Sequence, residues 1–207
     1  MIEIKGVSKT YGRVTALSEA SLEIPRGKTV GLLGPSGSGK TTLLRIIAGF
    51  EFPSSGEVFI EEKLASSQGY VLEPFLRDIS AVFQTPALWP NMTIMQNIEY
   101  VQAQGQPKEL LEKIGLSGLT NRYPNELSGG EARRASIARA LVADKKYLLL
   151  DEPLVNLNPE LKDVLHMLIV EETQRRGMGV LYISHDESEL EYADKHYVMR
   201  DGRVAEE

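Results

Sequence analysis

Apolar and polar positions alternate with a two-residue period through much of the first sixty residues, a pattern that predicts strands. Ile2 and Ile4 alternate with Glu3 and Lys5, and Ala20, Leu22 and Ile24 with Ser21 and Glu23. Glu57-Val58-Phe59-Ile60 follows a Ser-Ser-Gly turn and reads the same way. Between these stretches an apolar run, Thr29–Leu33, enters a glycine-rich segment, and a helical pattern over 43–48 leaves it, closed by Gly49. After Gln84 the texture turns helical and loop-rich up to Pro124, with candidate helices at 95–104 and 108–114. Strand signals return at 147–150 and 180–184. Between those two runs Leu161, Val164, Leu165 and Leu168 share one helical face, with Asn158-Pro159 as start and Gly177 as stop. Strands alternating with helices predict an α/β fold built on a largely parallel sheet. No repeat, low-complexity block or Pro/Gly/Ser-rich linker divides the chain, so one folded unit is expected.

Composition narrows the partners. The 207 residues are 42% hydrophobic, enough for a sizeable core, and the net charge of −6 lacks the basic footprint of a nucleic-acid binder. Nucleic acid is therefore not an expected partner. No apolar run approaches the roughly 18 residues that span a bilayer, and Met1-Ile2-Glu3-Ile4-Lys5 has none of the marks of a secretory signal, so a soluble cytoplasmic protein is expected. The chain has no cysteine, which excludes disulfides and thiol catalysis.

The chemistry concentrates in Gly34-Pro35-Ser36-Gly37-Ser38-Gly39-Lys40-Thr41, which fits the pattern G-x-x-x-x-G-K-[ST]. Glycines let successive N–H groups turn inward around a polyphosphate, and the helix that starts near Lys40 directs its positive end at the same anion. Lys40 is suited to the β- and γ-phosphates, and the Thr41 hydroxyl to a nucleotide-bound Mg²⁺. Tyr147-Leu148-Leu149-Leu150-Asp151-Glu152 is a second constellation: a buried-looking strand whose carboxyl end carries two acids. Ligands in open α/β sheets sit beyond such strand ends, so Asp151 suits the Mg²⁺ shell and Glu152 the water that attacks the γ-phosphate.

Leu127-Ser128-Gly129-Gly130-Glu131 opens a helix rich in Ala and Arg, a second anion site in which a hydroxyl and free N–H groups stand at a positive dipole end. Glycine loop, acidic strand and this segment follow the order and spacing of ATP-binding-cassette (ABC) ATPases, which the chain resembles over essentially its whole length. The resemblance implies a P-loop NTPase of class α/β, with a mainly parallel core sheet, an antiparallel β subdomain and a helical subdomain. It makes 1–207 a single ATPase domain, with about 85–140 as the helical and signature subdomain inserted in the α/β core. ATP and Mg²⁺ are the implied cofactors, held at Gly34 to Thr42, including Thr42 itself.

In this family Ser128, Gly129 and Gly130 would contact the γ-phosphate of ATP held by a second copy or a homologous ATPase subunit. Tyr11 resembles the aromatic residue that stacks on adenine, Gln84 the glutamine that reaches Mg²⁺ and the attacking water, and His185 the histidine that contacts the γ-phosphate and holds Glu152 and water. The resemblance further implies transmembrane permease subunits, a solute-binding protein acting through them, and a location on the cytoplasmic face of the cell membrane. The region from Phe83 to Ile98, with Glu152-Pro153-Leu154, resembles ATPases of bacterial importers for small solutes or ions. Leu88, Trp89 and Met92 offer apolar contacts to a permease, although Trp89 also suits ordinary core.

Three residues depart from the family pattern. Glu131 replaces the usual Gln of the signature, which brings an extra negative charge near a triphosphate or closes a capping box with Ser128, the favoured reading. Val155 and Asn158 stand where the family has Ser and Asp; Asn158 still caps a helix, whereas Val155 cannot replace a hydroxyl. Three functions compete: a transport ATPase driven by head-to-tail dimer closure, a non-transport relative acting on DNA or ribosomes, which one uninterrupted acidic cassette argues against, and a nucleotide-dependent dimerisation or regulatory protein that hydrolyses poorly. The presence of Lys40, Asp151, Glu152 and His185 favours the first.

Overall fold

A computed structural model of the chain describes residues 1–101, 107–155 and 157–207. The predicted alternation resolves into two sheets. The first is antiparallel, with spatial order β2-β1-β4-β5-β6, and comprises β1 (Ile2–Tyr11), β2 (Val14–Ile24), β4 (Ser55–Ile60), β5 (Lys63–Ser67) and β6 (Tyr70–Val71). The second contains β3 (Thr29–Leu33), β7 (Ile79–Val82), β8 (Tyr147–Asp151), β9 (Gly179–Ser184), β10 (Lys195–Arg200) and β11 (Arg203–Glu206), in the order β11-β10-β3-β9-β8-β7. Only the β10–β11 pair in this sheet is antiparallel. The fold is α/β, as the alternation predicts.

Strands at the centre of the second sheet are apolar along their whole length because both faces are covered. In β8, Tyr147 and Leu149 join one core while Leu148 and Leu150 join the other; in β9, Leu181 and Ile183 oppose Val180 and Tyr182 in the same way. The first core packs the antiparallel sheet and helix α1 (Lys40–Ala48) against the parallel sheet, burying Leu43, Leu44, Ile46 and Ile47. The second core collects α2 (Ile94–Glu99), α3 (Pro107–Lys113), α4 (Gly129–Val142) and α5 (Pro159–Arg176) on the other side. The predicted helix at 95–104 begins one residue earlier than expected and ends at Glu99, followed by a turn at residues 100 and 101; positions 102–104 lie outside the described residues.

Helix α5 starts and stops where the sequence signals it. The Asn158 side chain accepts the Leu161 N–H at 3.0 Å, Pro159 occupies the first turn and Gly177 closes the helix in the left-handed region. Its buried face differs from the expected stripe: Val164 is exposed, and Leu165, His166, Leu168, Ile169 and Thr173 turn inward. His166 reaches the core with Tyr182 stacked on its ring and Tyr192 tilted against it, so a polar residue fills an apolar position.

One buried side chain joins the two sheets across α1. The Arg77 guanidinium is 1% exposed and donates to the carbonyls of Ile46, Ile47, Ala65 and Leu72 and to Ser66 Oγ, at 2.6–3.0 Å. The carbonyls of Ile46 and Ile47 lie in the last turn of α1, where a cation also complements the helix dipole. Burial lowers the Arg77 pKa to about 10, so the side chain remains charged at neutral pH. Arg77→Met leaves four backbone acceptors without this donor and is expected to cost at least about 3 kcal/mol of stability. Urea unfolding measures this; a midpoint equal to the parent's contradicts the assignment.

Candidate functional site

Four parallel strands end on one edge of the second sheet, and their carboxyl ends carry the candidate chemistry. Across the edge the order is Gln84 beyond β7, Asp151 and Glu152 at β8, His185 beyond β9 and the glycine loop beyond β3. Register sets Leu33 opposite Ser184, and Ile183 opposite Asp151, which levels the three strand ends. A cavity of about 590 Å³ opens there, lined by loop residues Pro35, Ser36, Gly37, Gly39, Lys40, Thr41 and Thr42 together with Gln84, Glu152 and His185. A second cavity of about 400 Å³ shares Thr41 and Gln84 with it and reaches Asp151.

The loop tolerates only glycine at its tightest points. Gly39 caps α1 with φ 111°, and a Cβ there would lie 2.4 Å from Ala16 O. At Gly34 a Cβ would lie 2.3 Å from Met199 O and 2.9 Å from Ser38 Oγ. Gly34 and Ser38 therefore form the back of the loop, with Ser38 O accepting the Gly202 N–H at 3.0 Å, while Pro35, Ser36 and Gly37 face outward.

Lys40 is 6% exposed, and its ammonium donates to Gly34 O at 2.6 Å and Pro35 O at 2.9 Å. Burial lowers its pKa, opposed by the negative charges of Glu152 and Asp151. A buried cation with carbonyl partners only, at the N-terminus of a helix, fits an anionic ligand.

Thr41 Oγ1 donates to Asp151 Oδ2 at 2.8 Å, and Asp151 is 2% exposed, its pKa raised by burial. This hydroxyl–carboxylate pair is a hard-oxygen donor set of the kind that binds Mg²⁺ beside nucleotide phosphates. Among the described residues no cluster of three or more His, Cys, Asp or Glu could hold a metal by itself.

Glu152 occupies the left-handed region at φ 48°, which is rare for a residue with a side chain and marks stored strain. Its Oε1 lies 3.3 Å from His185 Nδ1. The glycine loop, Lys40, Thr41, Asp151, Glu152, His185 and Gln84 thus converge at one sheet edge. Tyr11 is not among the residues lining the main cavity; its hydroxyl donates to Glu51, and Lys9 Nζ lies 5.1 Å from its ring centroid. Ser128, Gly129, Gly130 and Glu131 likewise line neither of these cavities, so one chain presents the glycine loop and the Ser-Gly-Gly segment separately.

Ser128 is the N-cap of α4, and the Ser128–Glu131 capping box is formed. Glu131 Oε2 accepts the Ser128 N–H at 2.7 Å and the Ser128 hydroxyl at 2.8 Å, and these two bonds lower the Glu131 pKa. Trp89 is half-buried between Arg139, 4.4 Å over its ring, and Tyr100, edge-on at 5.0 Å.

A family model described as "ABC transporter" matches residues 17–155. The chain belongs to the ABC transporter family. Within it, the chain is 41% identical over 215 residues to the Fe(3+) ions import ATP-binding protein FbpC of Rhizobium etli. It is 38% identical over 218 residues to the glucose import ATP-binding protein GlcV of Saccharolobus solfataricus. Each match covers 99% of this chain but only 60% and 62% of those proteins, so the chain spans about three fifths of their length. The dimeric post-hydrolysis structure of the ATP-binding cassette MJ0796, bound to ADP and Pi, superposes with a TM-score of 0.88 at 31% identity, covering 100% of this chain and 98% of that one.

Sequence reasoning passed over Arg133, the buried arginine of α4 whose guanidinium reaches the carbonyls of Glu152 and Gln84. The available signal was positional: Arg133 stands four residues before Ile137 and eight before Leu141, in register with an apolar stripe. For the loop itself, Lys40→Ala is expected to lower affinity for a fluorescent Mg-nucleotide by about 10- to 100-fold, the worth of a charge-assisted contact. Unchanged affinity in an equilibrium titration contradicts the ligand assignment.

Proposed function

We propose that this chain is the ATP-binding and ATP-hydrolysing subunit of a membrane importer, working as one ATPase domain that pairs head to tail with a second copy or a homologous subunit. The observation that carries this reading is the convergence, at one sheet edge, of a buried ammonium, a Thr41–Asp151 oxygen pair and a Glu152–His185 pair. Those are the three parts that phosphoryl transfer to water needs: an anion clamp, a metal seat and a polarised water.

In the proposed reaction the N–H groups of the glycine loop and Lys40 hold the triphosphate. Thr41 and Asp151 are the seats for Mg²⁺, with Gln84 completing the set; the ion supplies charge neutralisation on the phosphate oxygens. Glu152 takes a proton from water as its oxygen forms a bond to the γ-phosphorus and the bond to the β-phosphate oxygen breaks, yielding ADP and phosphate. His185 orients the Glu152 carboxylate from 3.3 Å and faces the same cavity. Tyr11, which lies outside the cavity lining, is the proposed stacking partner of the base.

Pairing follows from the separation of the two anion sites. Ser128, Gly129 and Gly130, exposed or half-buried at the head of α4, meet the γ-phosphate held by the second copy, and hydrolysis removes that bridge. In that state Glu131 retains its capping role. Permease subunits dock beside Leu88 and Met92, receive the closing motion and place the ATPase at the cytoplasmic face of the membrane, with a solute-binding protein acting through them. Among the described residues no helix is long and apolar enough to cross a membrane. FbpC and GlcV bear the names of importers of Fe(3+) ions and of glucose, yet both are 38–41% identical to this chain. Resemblance at that level follows the ATPase and not the cargo, so the proposed cargo class is a small solute or ion.

Glu152→Gln keeps the hydrogen-bonding shape and removes the base. It is expected to lower ATP turnover by about 10²–10⁴-fold while nucleotide affinity holds. Hydrolysis at the parent rate contradicts the assignment of Glu152.

A further inference from the structure

Arg133 is nine-tenths buried on α4, one helical turn beyond the Ser128 cap, and lies outside the cavity lining. Nη1 donates to the Glu152 carbonyl at 2.6 Å, and Nη2 donates to the Gln84 carbonyl. Among the described residues no carboxylate pairs with it directly, and burial lowers its pKa against the attraction of Glu152 and Asp151. Desolvating a guanidinium for two neutral carbonyls is costly, and the arrangement returns geometry: the planar fork fixes two acceptors at one spacing, which a single ammonium does not.

Those two acceptors are significant. Glu152 holds a left-handed backbone whose N–H is already pinned to Ile183 O at 3.0 Å, so Arg133 fixes the opposite side of the same residue. Strained conformations persist where surrounding contacts over-determine them. Gln84 has an exposed side chain, and its carbonyl is held by the same fork. One guanidinium therefore ties the ends of β7 and β8 to the helix whose first residues form the second anion site.

We propose that Arg133 is a positioning residue for hydrolysis, which sets Glu152 and Gln84 in register with the head of α4 so that the attacking water is aligned only when that helix is seated. The inference rests on the proposed role of Glu152 as base. Because Arg133 touches backbone carbonyls and not the cavity, its loss changes the alignment of the reacting groups and leaves the phosphate clamp of Lys40 and the glycine loop in place.

The test measures kcat and KM for ATP in the parent, Arg133→Met and Arg133→Lys, with nucleotide affinity and thermal midpoint alongside. Arg133→Met keeps the buried volume without donors, and Arg133→Lys keeps charge and one donor group. The expected result is a kcat loss of about 10- to 100-fold in the Met variant, the cost of a misplacement of about 1 Å. A smaller loss is expected in the Lys variant, with KM and affinity within about threefold of the parent. If Arg133→Met fails to fold, the Lys variant alone carries the same kcat-against-KM comparison. Parent-like kcat in the folded variants overturns the proposal while the hydrolytic reading stands. Parallel losses of kcat, affinity and thermal midpoint also overturn it, because they indicate a purely structural role. Absence of turnover in the parent overturns both.

Discussion

A buried ammonium group at the head of a helix, with two carbonyl oxygens accepting from its three N–H bonds, constrains everything around it. Lys40 is held in place by Gly34 and Pro35, so the glycine loop must curl back over its own helix, and that curl requires glycine at Gly34 and Gly39. Once the loop is fixed, Thr41 follows in the first turn of α1 and meets Asp151 from the neighbouring part of the sheet. The positive end of α1 and the Lys40 charge then add to one field, partly balanced by the acids of β8. Arg77 completes the same helix at its other end, satisfying its carbonyls and locking it to the antiparallel sheet. Loop, helix and both sheets thus form one rigid support for an anion.

The other face of the parallel sheet carries a different task. Helices α2 to α5 bury its second set of apolar residues, and through Arg133 the N-terminal part of α4 is joined to the strand ends where Glu152 and Gln84 sit. In the proposed mechanism this junction connects the chemistry of one half-site with the pairing surface of the other. The Ser128–Glu131 box keeps the head of α4 ordered in the single chain, which makes the Glu in place of the family's usual Gln compatible with a formed helix start.

Much of this was legible in the sequence because local chemistry and periodicity agreed. Thr29–Leu33 and the helix after Lys40 are delimited by glycines with few conformational alternatives, and α5 by an Asn-Pro start and a Gly stop. The acids of β8 could be placed because a both-sides-buried strand of a parallel sheet carries its chemistry at the carboxyl end, where ligands gather. What escaped was non-local. β5, β6, β10 and β11 gave short or mixed patterns whose pairing depends on partners far along the chain. Val164 fell on the expected stripe but faces solvent, and His166, packed between Tyr182 and Tyr192, takes an inward position. Arg77 and Arg133 carry no local signal, because the carbonyls they satisfy lie on α1, β5 and the ends of β7 and β8, which only the tertiary fold brings near.

In the proposed mechanism each chain carries two half-sites that complete each other only across a pair. Light scattering on the Glu152→Gln protein, with Mg-ATP and with Mg-ADP, tests it directly. A doubling of molar mass with ATP and the monomer mass with ADP are expected. A protein that binds ATP at saturation yet keeps the monomer mass would contradict this pairing.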